Sequence, residues 1–532
     1  MCREYSNITM KSLLSSLLGF ALVTVLLSGC TKDYTKINTD ANSLSSVGPN
    51  EYPYMFSYAL MSPMLSPDNF EIGEGTIASV YSQFFSQAAH SFPTDRYVVV
   101  QPWMPACWNP VYINAAPQLK TIMNNTDVNS AENALANIWW VWMFHRVTDY
   151  FGPVPYFDAA SGQSSVAYTP QDSIYYDFFP RLTAAVEVLK NHTSEKPFGS
   201  YDLVFGKKSD PVNSWIKFAN SLRLRLALRI SKVAPDRART EAEAAVAAGV
   251  MTDLSDDAYM PHNKINYNEF NGLAVTAGWD DVRMSSAMAS ILKGYSDPRL
   301  SVYWQPAVAT GEYTGARNGM FTSEKIIEEN SRLFTSNLGT KWTYWDTNVN
   351  DWKTNYDAPQ SIIVSAESYF LKAEGALNGW NMGGTARDFY EAGIRRSMQQ
   401  WGITDQTAIN DYIASNATPI ALNDYFDSPA VNDYPIAFSA SADMQRKQIA
   451  QQKWLALFPD GMEGWAEVRR TGFPELYHII HSENPDISEN QFIRRMPFLS
   501  AEAQTNGAAV SKAVGMLGGP DKVTTPLWWD KN

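Results

Sequence analysis

Apolar side chains recur at helical spacing along much of this chain, which indicates a protein built mainly of α-helices. Residues 131–149 carry an apolar side chain every three or four positions and run into a breaker at 151–155 that contains one glycine and two prolines. The same period runs through residues 172–190 and, most regularly, through residues 384–400. The pattern therefore predicts a helix over each of these three ranges.

Residues 222–230 are ambiguous, because leucine alternates with arginine there as it would on a half-buried strand. Apolar positions farther upstream convert the same stretch into a helical stripe, and leucine and alanine favour a helix. We predict a helix whose first turn is capped by Asn213 or Ser214. Arg225 and Arg229 then share one face, and we expect them to pair with acidic side chains inside the fold.

Residues 367–401 fit a pair of helices joined by a glycine turn. Ala386, Tyr390 and Gly393 occupy the small, aromatic and small positions of a tetratricopeptide repeat. Helix pairs of this kind bury their faces by stacking on neighbouring pairs, so the repeat predicts a scaffold rather than a ligand.

The amino terminus has the pattern of an export signal. Residues 13–27 form a largely apolar run that follows a lysine and ends in Leu-Ser-Gly before Cys30. About 15 residues are too few to cross a bilayer comfortably but suit the apolar core of a signal peptide. Small residues before a cysteine resemble the lipobox of bacterial lipoproteins, which implies lipidation at Cys30. An ordinary signal peptide with a chance cysteine is the alternative, and the true start is either Met1 or Met10.

The organisation that follows has three parts. Residues 1–29 are predicted to be a lipoprotein signal peptide, and residues 30–50, rich in Asn, Ser, Thr and Gly, a lipidated tether. Residues 51–532 are predicted to form a single domain.

Composition narrows the class of protein. The chain has 532 residues, with 42 Lys and Arg against 55 Asp and Glu, which leaves a net charge of −13. Such an acidic chain is not suited to coating nucleic acid, so no nucleic-acid partner is expected. Apolar residues make up 45% of the chain, which favours an ordered protein. Its three cysteines form no CxxC pair, so a zinc or redox motif is unsupported.

A set of motifs in order along the chain is similar to the SusD/RagB family. The matching stretches are DYFGPVPYFD at 149–158, WIKFANSLRLRLALRISK at 215–232, DPRLSVYWQP at 297–306, SAESYFLKAEGALNGW at 365–380, FYEAGIRRSMQQWG at 389–402, KWLALFPDGMEGWAEVRRTGFPEL at 453–476, RRMPFLSAEAQTN at 494–506 and the ending WWDKN. Each motif alone is modest, but together they span nearly the whole chain behind the lipobox-like segment.

The resemblance implies a surface lipoprotein of Bacteroidota that is lipid-anchored in the outer membrane and faces the cell exterior. It implies a mainly all-α fold, a right-handed superhelix of tetratricopeptide-like helix pairs with a loop-rich portion that binds ligand. It also implies an oligosaccharide or, in some members, a peptide as ligand, a SusC-like TonB-dependent transporter as partner, and no enzymatic activity or cofactor.

Sugar binding requires flat aromatic faces and polar groups that satisfy hydroxyls, and two segments offer both. The richer is residues 342–356, which shows no clear strand or helix spacing and interleaves asparagines with the aromatic candidates Trp342, Tyr344, Trp345 and Trp352. The second lies in the long connection 91–112, where Arg96 could fork onto hydroxyl groups beside Trp103. Trp304 is a further candidate. For the segment 342–356 and for Trp304, burial of the rings in the core is the alternative interpretation.

Catalytic and metal motifs are weak. The sequence has no HExxH, nucleophile elbow or glycine-rich phosphate loop, and His478 with His481 is an isolated pair typical of a helix surface. Asp253, Asp256 and Asp257 leave a weak case for a structural calcium ion.

The open alternatives to glycan capture are peptide capture, an α-helical glycoside hydrolase, and an assembly factor for the transporter without its own ligand.

Overall fold

The computed structural model describes residues 47–65, 69–163, 165–265 and 281–532. The chain divides into two compact units, Met1–Tyr52 and Pro53–Asn532. The predicted signal peptide, Cys30 and the tether up to residue 46 lie outside the described residues. Within the described ranges, no helix combines the length and apolar character that a membrane span requires.

Helices form the body of the second unit, which confirms the prediction of a mainly α-helical fold. In chain order they are α1 Tyr52–Met61, α2 Ala78–Tyr81, α3 Pro105–Asn109, α4 Ala116–Asn125, α5 Ala131–Phe151, α6 Gln171–Leu189, α7 Pro211–Arg229, α8 Pro235–Ala248, α9 Ser286–Gly294, α10 Leu300–Tyr303, α11 Thr322–Lys325, α12 Ser365–Leu377, α13 Ala386–Gln400, α14 Gln406–Ala414, α15 Ala442–Leu457, α16 Gly461–Thr471, α17 Ser500–Thr505 and α18 Gly507–Met516. Short 3₁₀ and π segments join several of them.

The predicted amphipathic helices occur as α5, α6, α7 and α13, with ends within a few residues of the expected ones. The predicted cap of α7 is wrong. Asp210 caps this helix instead, because its carboxylate accepts the Asn213 N–H and Pro211 occupies the first helical position. Capping therefore begins three residues before the position that the sequence suggested.

Neighbouring helices in the chain pack on one another from α4 to α8, and α12 packs on α13, α15 and α7. The α12–α13 pair is the predicted tetratricopeptide-like repeat. A Cβ atom at Gly393 would come within 2.8 Å of the Phe370 ring, so glycine permits the two helices to approach this closely.

Three antiparallel two-stranded sheets lie between the helices in the described residues. The strands are β1 Phe85–Gln87, β2 Ala258–Met260, β3 Val282–Met284, β4 Thr343–Asp346, β5 Asp351–Thr354 and β6 Gln360–Ile363, paired as β1–β3, β2–β6 and β4–β5. The aromatic segment 342–356, for which we predicted no regular structure, is thus a β-hairpin. Its strands are only four residues long, too short for the alternation of burial to stand out in the sequence.

Buried ion pairs connect the long helices. Arg225 on α7 forms a bidentate pair with Glu367 on α12, at 2.8 and 2.6 Å. Arg229, one turn later, lies 2.9 Å from Asp149 on α5 and also pairs with Glu463 on α16. The expectation that both arginines meet acids inside the fold is confirmed.

The same network continues through Glu467 on α16, which lies 3.1 Å from Lys453 on α15 and 2.8 Å from Arg470. Burial alone would raise the pKa of Glu467, but Arg470 and Lys453 outweigh it and hold this pKa well below its ordinary value. The carboxylate is therefore charged in the folded protein, and five helices share one set of compensated charges.

Replacing Arg229 with methionine removes the cation between Asp149 and Glu463 and leaves both carboxylates buried without it. We expect the free energy of unfolding to fall by about 3–5 kcal/mol in urea denaturation. Arg239→Met is the control, since Arg239 forms an exposed pair with Glu243 on α8 and should cost less than about 1 kcal/mol. Equal losses in the two variants would contradict the role of the buried network.

The lowered pKa of Glu467 predicts a pH dependence. Its contribution to stability is fully present above the unfolded-state pKa of about 4.3 and is lost as the pH falls through the lower folded-state pKa. The stability gap between the wild type and Glu467→Gln should therefore shrink on acidification below about pH 4. Urea denaturation between about pH 7 and pH 3 measures this gap, and a constant gap would contradict the assignment.

Candidate binding site

Three loops that are far apart in the chain meet around Arg96. We call residues 90–97, 318–325 and 478–483 the three-loop cluster. Arg96 Nη1 donates to the carbonyl oxygens of Phe92 and Met320, at 3.2 and 3.1 Å, and its Nε lies 3.0 Å from Glu483. The Glu483 N–H in turn donates to the Arg96 carbonyl. One guanidinium thus contacts all three loops.

A buried ion pair lies beneath Arg96. Lys325 Nζ is 2.9 Å from Asp95, and both side chains are fully buried. Burial lowers the pKa of Lys325, while the Asp95 carboxylate opposes that shift. Arg96 is also buried, so its predicted role of forking onto sugar hydroxyls does not fit this conformation. It positions the loops instead.

Aromatic rings stand on the surface of this cluster. Trp103 is half-buried and meets Phe92 edge to face, with ring centroids 5.2 Å apart. Phe321 is exposed and stacks on His481, with centroids 3.7 Å apart and planes 11° apart. The His481 ring is fixed by Glu324, whose Oε1 lies 3.0 Å from Nε2. The cluster therefore offers apolar ring faces beside polar groups.

His481 and Phe321 were missed as a pair by the sequence interpretation. His478 and His481 do not lie on a helix surface as expected, because residues 472–485 are irregular. Phe321 and His481 are 160 positions apart in the chain, and no local sequence pattern predicts a contact between them.

The β4–β5 hairpin carries a second group of candidates. Trp345 faces Trp352 across the strands, with ring centroids 5.3 Å apart, and Trp352 is buried. Tyr344 points to the other face, opposite Lys353, and is 43% exposed. The alternation of side chains along a strand makes this division, since neighbours face opposite ways.

Trp304 and Trp342 lie in the core. Both have 1% exposure or less and pack around Phe458, at centroid distances of 5.3 and 6.0 Å. Protein covers their ring faces and most of Trp352. For these three tryptophans the alternative interpretation, burial in the core, is therefore the one that the structure supports, and their rings are not accessible to a ligand. Trp103, Tyr344 and Trp345 keep surface that a ligand could reach, and their binding role stays a prediction.

The acidic residues considered for calcium have protein partners. Asp256 pairs with Lys217 at 2.7 Å, and an Asp257 oxygen accepts the Ser365 N–H at 2.7 Å. Across the residues that the structure describes, no group of three or more His, Cys, Asp or Glu side chains is arranged to hold a metal ion.

Comparison with known proteins identifies the family. A family model described as SusD-like, the SusD and RagB outer membrane lipoproteins, matches residues 48–530. The chain belongs to the SusD-like family. No curated protein sequence matches it significantly.

Solved structures of the family share this fold over most of their length. A chitin-binding SusD homologue from Flavobacterium johnsoniae is 32% identical, with a TM-score of 0.82 over 91% of this chain and 99% of the homologue. A SusD-like protein from Bacteroides thetaiotaomicron is 29% identical, with a TM-score of 0.80 over 90% and 99% of the two chains. A homologue from Bacteroides ovatus is 28% identical, with a TM-score of 0.80 over 91% and 100%. The predicted SusD-like fold is confirmed.

The burial of the hairpin candidates predicts opposite mutational outcomes. Trp342→Ala leaves a cavity in the core and should lower the free energy of unfolding by about 3–5 kcal/mol. Tyr344→Ala removes an exposed ring from the same segment and should change it by less than about 0.5 kcal/mol. Urea denaturation of the two variants measures both values. A stable Trp342→Ala protein would reopen Trp342 as a surface residue.

Proposed function

We propose that this SusD-like protein captures an oligosaccharide at the cell surface and delivers it to a SusC-like TonB-dependent transporter, without cleaving it. The observation that carries the proposal is the exposed aromatic surface of the three-loop cluster and the adjoining Trp103 in a chain of this family. Ring faces pack on the apolar C–H faces of sugars, and neighbouring polar groups meet the hydroxyls. The chitin-binding activity of the Flavobacterium homologue makes an N-acetylglucosamine polymer the first glycan to test.

The predicted lipidation at Cys30 would support the delivery step. A lipid on this cysteine and the tether up to residue 50 would hold the protein in the outer membrane, facing outward. Tethering raises the effective concentration of the protein at its transporter, so the pair can separate and rejoin during repeated uptake. The ligand must also leave toward the transporter, which suits a site whose rings are partly exposed.

The cluster offers binding groups rather than a reacting pair. Glu324 is held by His481 and Glu483 by Arg96, so both carboxylates already have partners. Binding followed by release needs no further chemistry from them. Release of reducing ends would instead favour the glycoside hydrolase alternative.

Affinity electrophoresis of the full-length lipoprotein in detergent tests the proposal. We expect retardation by glycol chitin, and retardation should weaken about tenfold in a Trp103→Ala, Phe321→Ala double variant. No reducing ends should appear in the same mixtures. Binding to a peptide digest without binding to any glycan would favour peptide capture, and no ligand at all would favour the assembly role.

Tyr344→Ala and Tyr176→Ala form a matched pair in the same assay. Each removes a tyrosine that is 43% exposed, one on the hairpin and one on α6. Weaker retardation in Tyr344→Ala alone would extend the site onto the hairpin. Retardation equal to that of the wild type in both variants would confine the binding site to the three-loop cluster and Trp103.

A further inference from the structure

A separate pocket of about 430 Å³ lies where α12, α15 and α16 converge. Trp380 and Phe473 supply aromatic wall, Ile449 supplies apolar floor, and Lys232 and Arg446 stand among the lining residues. None of these side chains belongs to the three-loop cluster or the hairpin. The pocket therefore combines ring surface with positive charge at a site distinct from the one proposed above.

Trp380 is placed in this pocket by the turn that ends α12. Gly379 adopts a φ of 78°, and the Trp380 N–H donates to the Gly375 carbonyl at 3.0 Å. The indole is half-buried, yet within the described part of the chain it stacks on no other ring and its Nε1 has no hydrogen-bond acceptor. Part of the indole therefore lines the pocket, and its N–H is available as a donor.

The two cations named above, Arg446 and Lys232, form hydrogen bonds with neutral amide side chains. Arg446 donates to the side-chain oxygen of Asn378 at 2.8 Å, and Lys232 donates to that of Asn532. Among the described residues, neither forms an ion pair with a carboxylate. The acid in the pocket wall, Glu374, is already bound by Arg470 through two contacts of 2.6 Å. The pocket thus holds two cations without a direct carboxylate partner, although Glu374 and Asp530 lie near enough to Lys232 to attract its charge, in a chain whose net charge is −13.

An acidic sugar matches this set of groups better than an acidic peptide. A sugar ring carrying a carboxylate needs an aromatic face and a cation close together. An extended peptide binds through a free strand edge, whereas helices form much of this wall and their backbone groups are bonded internally. The volume of about 430 Å³ falls within the range of about 300–1,000 Å³ typical of small-ligand pockets.

We propose that the Trp380 pocket is a second saccharide site that binds a carboxylate-bearing sugar unit, with Trp380 stacking on the ring and Arg446 and Lys232 pairing with the carboxylate. The proposal rests on the proposed function, because it extends glycan capture from neutral to acidic sugars. Glycans that alternate neutral and acidic units would engage both sites.

Isothermal titration calorimetry of the full-length lipoprotein with trigalacturonate tests the second site. We expect binding that weakens about tenfold in Trp380→Ala and severalfold in Arg446→Gln. Raising the NaCl concentration from about 0.05 to about 0.5 M should weaken binding to the wild type, because salt screens exposed charges. The fully methyl-esterified trisaccharide, which has the same rings without the charge, should bind markedly less well.

Arg395→Gln is the matched control. Arg395 also bonds an asparagine side chain, that of Asn410, but it lies on α13 and does not line the pocket. Its variant should bind trigalacturonate as the wild type does. Absence of trigalacturonate binding, equal losses in Arg395→Gln and Arg446→Gln, or displacement of the sugar by hexaglutamate at equal concentration would each overturn the proposal.

The two proposals fail separately. If glycol chitin binds through Trp103 and Phe321 but trigalacturonate does not bind, the second site is wrong and glycan capture stands. If trigalacturonate binds through Trp380 while no neutral glycan binds, the three-loop cluster loses its proposed role and the pocket keeps its own. If the wild type binds glycol chitin, the Trp380→Ala protein should bind it equally well.

Discussion

The buried charges between α7 and α16 constrain the rest of the structure. A guanidinium or carboxylate removed from water costs several kcal/mol unless its partner stands at the right distance. Arg225 and Arg229 on one helix must therefore meet Glu367, Asp149 and Glu463 on three others at once. A helix that rotated or slid by one residue would bury an unpaired charge. The network thus fixes the register of the helices more strictly than apolar packing could, since apolar contacts tolerate small shifts.

Loops carried by such a body can have a defined arrangement without regular structure. The three-loop cluster is also held by buried charges, on a smaller scale. Asp95 and Lys325 form its buried ion pair, and Arg96 forms hydrogen bonds that connect the loops. Because these polar side chains satisfy the loop backbones, the nearby aromatic rings need not enter the core to hold the loops together. Phe321 can therefore remain at the surface. Rigid support and exposed rings are two consequences of one arrangement.

The sequence predicted the helices well and the site only in part, for a physical reason. Helical periodicity is local, so α5 and α13 could be found from residues within a few turns of each other. Burial of a single tryptophan depends on distant partners. Trp342 is buried because Phe458 lies against it, and Tyr344, two positions on, is exposed. Arg96 has the residue type expected of a ligand contact, but two of its partners, Met320 and Glu483, lie more than 200 positions away. Residue type alone could not separate these cases.

The charge of the whole chain bears on where acidic ligands can bind. A net charge of −13 disfavours the approach of an anion on average, so an acidic sugar needs a local excess of cations to bind at all. At physiological salt, screening limits the influence of a charge to about 8 Å, so such an excess acts only within its own pocket. Cations spread over the surface and paired with nearby acids would not serve. Lys232 and Arg446, bonded to asparagines rather than carboxylates, retain the charge that this requires. The asparagine partners hold the two cations in place without neutralising them.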